Sequence, residues 1–194
     1  MQTIPSIPQD ADVVYVIFSA YINPNTSQNL IAAMSQCVAR RVKRVDLLLS
    51  TPGGSVSNGI NLYNVLRAMP FDLTVHNVGN IDSIGNAIFL AGKRRYASPP
   101  STFMFHGVGF DNPAGQRLEE KNLRESLNSI LADQKRIGTI IAQHTSLSPE
   151  EIEGLFRESQ TKDAEFAMSK GFISEIREAN IPTGSSVVSL VFQV

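Results

Sequence analysis

Apolar positions along the chain keep changing rhythm. Val13 to Ser19 is an unbroken β-rich run, the pattern of a strand covered on both faces. Pro24-Asn25-Thr26-Ser27 then offers cap residues for a helix ending near Arg40, with Leu30, Met34, Cys37 and Val38 on one face. Val45 to Ser50 predicts a second buried strand. Thr51-Pro52-Gly53-Gly54-Ser55 predicts a turn, followed by a helix to about Ala68. Leu73 to Val78 alternates as a third strand, and Ile84 to Ala91 reads as a short apolar helix. Arg95 to Ala97 and Thr102 to His106 are two further short strands. Asp111 to Gly115 is a loop. Leu123, Leu127, Ile130, Leu131, Ile137 and Ile141 then mark a long amphipathic helix over about 116–144. Ser148-Pro149-Glu150-Glu151 is a capping box whose helix ends near Glu158. Asp163 caps another short helix closed by Gly171, and Val187 to Phe192 is a final β-rich run.

Strand–helix–strand alternation over the first half predicts an α/β fold with a mainly parallel sheet, flanking helices and a long protruding helix. At 194 residues the whole chain, 1–194, reads as a single domain, with residues 1–12 as an extended N-terminal arm.

Composition narrows the function. The chain is 42% hydrophobic and 18% charged, with a formal net charge of -1. That balance argues against nucleic acid and anionic membrane partners. The cluster Arg40, Arg41, Lys43 and Arg44 reads as a helix C-terminus leading into a strand. The single cysteine, Cys37, excludes an intramolecular disulfide and reads as a small core residue. The N-terminus lacks a basic start and an apolar stretch, so a signal peptide is not expected and a cytoplasmic location fits best. His76, His106 and His144 are scattered, so no zinc-ligand spacing emerges and no metal or cofactor is expected.

A serine becomes a nucleophile when a base takes its proton and N–H dipoles receive the oxyanion. Asn80-Ile81-Asp82-Ser83-Ile84-Gly85-Asn86 puts Ser83 between a strand and an apolar helix. Taken alone, Ser83 reads more readily as a helix N-cap than as a nucleophile, since capping is what serine commonly does. His106 ends a strand, and Gly53-Gly54 follows another. In a parallel sheet both turns reach the same edge, where α/β proteins build sites. His76, inside a strand, and His144, at a helix C-terminus, read as structural.

The ordered set Ser50-Thr51-Pro52-Gly53-Gly54-Ser55-Val56, Ser83-Ile84-Gly85, Ala91-Gly92-Lys93-Arg94-Arg95 and Met104-Phe105-His106 resembles the Clp protease proteolytic subunit family. His144-Thr145, Ser148 to Glu153 and Ala167 to Ile173 extend the resemblance to roughly residues 13–176. It implies a serine endopeptidase on the Clp/crotonase fold, hydrolysing peptides or unfolded protein chains in a homo-oligomer of stacked rings. Ser83 would be the nucleophile and His106 the base. The backbone N–H groups of Gly54 and Ile84 would form the oxyanion hole, and the long helix would make the contact between rings.

Five features depart from the family pattern. The triad aspartate falls at Ser159, which cannot carry charge against an imidazolium, so the third member is open. Asp82 stands where a small apolar residue is usual. The arm lacks the segment that forms axial loops, which argues against an AAA+ unfoldase as partner. The chain is also shorter in the Ala91-Gly92-Lys93 loop and longer between His106 and His144. Two other readings stay open: a non-catalytic ring subunit, and a crotonase-type acyl-CoA enzyme using the same N–H pair on an enolate. A Ser–Lys pairing through Lys93 is a minor variant.

Overall fold

The computed structural model describes residues 7–8, 11–110 and 117–192. Its elements follow the hydrophobic pattern, apart from two short strands at Thr161–Lys162 and Glu175–Ile176 that the pattern does not predict. Strand β1 (Val13–Ser19) leads to α1 (Pro24–Ala39), β2 (Arg44–Thr51), α2 (Val56–Ala68), β3 (Asp72–Asp82) and α3 (Gly85–Phe89). Then come β4 (Arg94–Ala97), β5 (Thr102–Met104), α4 (Glu120–His144), α5 (Pro149–Glu158), β6 (Thr161–Lys162), α6 (Ala164–Ser169), β7 (Glu175–Ile176) and β8 (Ser186–Val191).

The strands form one sheet in the order β6-β5-β3-β2-β1-β8, with β4 and β7 branching from β3. All pairings are parallel except β5 with β6. This confirms the mixed α/β class. The parallel order brings the C-terminal ends of β2, β3 and β5 together.

Local chemistry explains where elements start. Asn23 and Thr26 form a reciprocal capping box at α1, with Pro24 in the first turn. Ser148 and Glu151 do the same at α5, and Asp163 Oδ1 accepts from the Phe166 N–H (2.8 Å) at α6. Gly171 closes that segment at φ +75°. Arg40 is the C-cap of α1 and Arg44 begins β2, so the basic cluster is a helix end running into a strand.

Strand β3 is longer than the alternation predicts, because Gly79 and Asn80 do not end it. Its first half pairs with β4 (His76 with Tyr96) and its second half with β5 (Asp82 with Met104). The Asn77 side chain makes the changeover, donating to Thr102 O (2.8 Å) and accepting from the Gly79 N–H (3.1 Å).

Within the long helix, Ile137, Ile140 and Ile141 are buried. Leu123, Leu127 and Leu131 are about half exposed, so the apolar stripe is anchored only at its C-terminal end. The helix begins at Glu120, later than the pattern places it. The loop at Asp111 to Gly115 and most of the N-terminal arm lie outside the described residues.

Candidate active site

The site grows from the Thr51–Ser55 turn. Thr51 is fully buried; its hydroxyl donates to Ala20 O (2.7 Å) and accepts from the Gly53 N–H (3.1 Å). Ile22 N–H donates to Gly53 O and Ser55 N–H donates to Ile22 O, both at 2.8 Å. These bonds bracket the Gly54 peptide and leave it exposed at the strand end. Gly53 (φ +86°) and Gly54 (φ +141°) occupy backbone regions that L side chains avoid. A Cβ on Gly54 would lie 2.3 Å from Ile22 O, and one on Gly53 would lie 2.8 Å from Ser83 Cβ. The glycine turn and Ser83 are therefore packed directly together.

Ser83 adopts φ +56°, a left-handed conformation costing a non-glycine residue about 1–3 kcal/mol. It is not a helix cap. Ile84 holds that position at α3 and makes no side-chain cap bond, so the alternative capping role for Ser83 falls away. The Ser83 N–H donates to Met104 O (2.9 Å). Asn86, buried in α3, donates to Ser83 O (3.0 Å) and Met104 O (2.9 Å). One amide thus ties the serine turn to β5. Nothing in the sequence singles out Asn86, because its role depends on a contact between segments far apart in the chain.

His106 sits just past β5. Burial alternates through Phe103 (buried), Met104, Phe105 (buried) and His106, so His106 shares the Met104 face. Phe103 packs against Phe89 and Phe172, and Phe105 against Phe172, which fixes the strand from its other face. The Phe105 N–H donates to Gln160 O (2.9 Å) and the Gly107 N–H to Phe156 O (3.0 Å). β5 and β6 pair Met104 with Thr161. Extending that antiparallel register sets Ser159 opposite His106. Ser159 is the exposed left-handed C-cap of α5 (φ +51°), and Glu158 is the last residue of that helix. The Glu158 carboxylate accepts from the Gln160 amide.

The other candidates lie elsewhere. His76 Nε2 faces Arg177 O (3.0 Å) and Ser98 Oγ (3.3 Å), and burial lowers its pKa. His144 Nε2 meets the Tyr63 hydroxyl at 2.8 Å; burial, then Arg95 and Arg67, lowers its pKa. Both are structural, as their sequence contexts indicate. Lys93 is ion-paired with Asp72 (2.9 Å), outside the serine turn. Among the described residues no three metal-ligating side chains cluster.

The sequence matches the Clp protease family over residues 11–180. The chain belongs to that family. It is 28% identical over 140 residues to the ATP-dependent Clp protease proteolytic subunit of Lactococcus lactis subsp. cremoris, covering 71% of this chain and 69% of that one. Its fold resembles an asparagine-to-aspartate mutant of ClpP1 from Listeria monocytogenes, with a TM-score of 0.74 at 21% identity. That likeness covers 85% of this chain and 91% of the other. Clp proteases are serine endopeptidases that act in oligomeric assemblies, and this chain is of that class. No helix among the described residues is long and apolar enough to cross a membrane.

Proposed function

We propose that Ser83 and His106 form the peptidase centre of an assembled ring, with peptides or unfolded protein chains as substrates. The Ser83 hydroxyl attacks the peptide carbonyl carbon as its proton passes to His106. The oxyanion is received by the backbone N–H groups of Gly54 and Ile84. As the C–N bond breaks, His106 returns the proton to the departing amine. Water, deprotonated by the same imidazole, then hydrolyses the acyl-serine ester.

One observation supports this reading most. The left-handed Ser83 is packed against the Gly53 turn and bonded to the strand that carries His106. A serine kept in so costly a conformation, and braced by a buried asparagine, suits a nucleophile better than a cap.

A fluorophosphonate probe tests it. Mass spectrometry is expected to find the adduct on Ser83, with His106→Ala abolishing it. No adduct in assembled wild-type protein overturns the reading. It would favour a non-catalytic subunit first and an acyl-CoA enzyme second, the latter detectable as coenzyme A binding.

A further inference from the structure

The imidazole lacks an obvious acidic partner, since Ser159 lies opposite His106 in register. A carboxylate is nevertheless close by, one residue before the nucleophile. Asp82 pairs with Met104 across the parallel β3–β5 ladder. Where β3 pairs with β5, Ile81 is buried and Asp82 half-buried, as Phe105 is buried and His106 half-buried. The Asp82 side chain therefore stands on the face that His106 shares, one register step away. Its Oδ2 accepts from Asn80 Nδ2 (2.5 Å), and Asn80 is itself held by Ser50 Oγ (3.1 Å) and Thr51 O (3.3 Å). One carboxylate oxygen is thus anchored by a hydrogen bond from the same strand.

We propose that Asp82 is the positioning carboxylate for His106, orienting the ring and balancing the imidazolium in place of an acid at 159. This rests on the Ser83–His106 reading above. Burial raises the Asp82 pKa, while the Asn80 hydrogen bond and the charge of His106 lower it, in that order. Other charged groups around β5 are engaged elsewhere. Glu158 of α5 accepts from Gln160, and Lys162 of β6 lies 5.0 Å over the Phe166 ring. Asp163 caps α6. The α4 residue facing this segment is the neutral Gln134, which accepts from the Val108 N–H.

The test uses Asp82→Asn, which keeps an oxygen for Asn80 and removes only the charge. Histidine resonances are followed against pH in assembled protein, with His106 assigned by its loss in His106→Ala. The His106 titration midpoint is expected to fall by about half a pH unit or more in Asp82→Asn, as loss of a nearby opposite charge requires. Adding Ser159→Asp to that variant should move it back, and a merely structural role for Asp82 would not respond to this. Ser83 labelling is expected to slow roughly tenfold or more in Asp82→Asn and to recover in the double variant. An unchanged midpoint, or loss without rescue by Ser159→Asp, overturns the assignment. If wild-type Ser83 takes no probe but the midpoint shifts, the peptidase reading fails while the Asp82–His106 pair stands. Labelling without a shift has the opposite meaning.

Discussion

A methyl group is enough to test the centre of the site. At Gly53 it would meet Ser83 Cβ at 2.8 Å and sit on a backbone at φ +86°. Gly53→Ala should therefore cost about 1–3 kcal/mol of stability in denaturant titration. It should also slow probe labelling of Ser83 roughly tenfold, since the nucleophile is what the new methyl displaces. Undiminished labelling would mean that the turn does not set the serine geometry. A second residue-scale test concerns Cys37, which is buried at the α1 core, where desolvation pushes its thiol from 9.0 up to about 11. The folded state then holds this proton after the unfolded chain has released it. Stability is fully present below pH 9 and is lost as pH rises toward 11. Relative to Cys37→Ala, the wild type should lose on the order of 2 kcal/mol across that window. Parallel denaturation curves at pH 8 and pH 10.5 would check it; equal slopes for both proteins would refute it. Ser83 and His106, the proposed nucleophile and base, and the two glycines could be singled out in the sequence because such chemistry and tight turns call for fixed residue types. Asn86, Asn80 and Thr51 were not, because a buried hydrogen bond between remote segments leaves no local pattern.

At the scale of elements, the position of His106 depends on the phenylalanines that pin β5 from behind. Phe105 is 1% exposed and meets Phe172 edge-on with ring centroids 5.5 Å apart. Phe105→Ala should cost about 3–5 kcal/mol by cavity formation. Phe105→Leu, which keeps much of the volume, should cost far less and retain more Ser83 labelling. If the leucine variant loses as much labelling as the alanine one, the strand is not positioned by apolar packing. Elements with strong periodicity or paired cap residues, such as β1, α1, α2 and α5, were readable almost to their ends. β3 was not. Gly79 and Asn80 are turn residues by propensity, yet the Asn77 side chain bridges the changeover of partners and carries the strand on to Asp82. Tertiary bonding outweighs local propensity there, and that extension is what delivers Ser83 to the glycine turn.

For the whole molecule, the unresolved balance lies along α4. Ile137, Ile140 and Ile141 are buried against the body, whereas Leu123, Leu127 and Leu131 are exposed at 49%, 53% and 53%. Four-residue spacing places these leucines on one side of the helix, an apolar stripe of the kind that marks an interface. Glu120–Arg124 (2.7 Å) and Lys121–Glu125 (3.9 Å) pair charges along the first turns, a small contribution for pairs this exposed. Family members act in oligomeric assemblies, so the expected partner is a second copy of this chain. Covering each leucine would contribute about 1.5–3 kcal/mol at most, enough for three per subunit to bias a symmetric contact. Light scattering at micromolar concentration is expected to give wild-type protein the mass of a homo-oligomer, of at least about six subunits if it assembles as a closed ring. Leu127→Lys should reduce that mass without lowering the helical content of the subunit. Ser83 labelling should fall with it if the site reaches its working geometry only in the ring. A wild-type monomer would remove the assembly from the account. Unchanged mass in Leu127→Lys would place the contact elsewhere and leave the stripe unexplained.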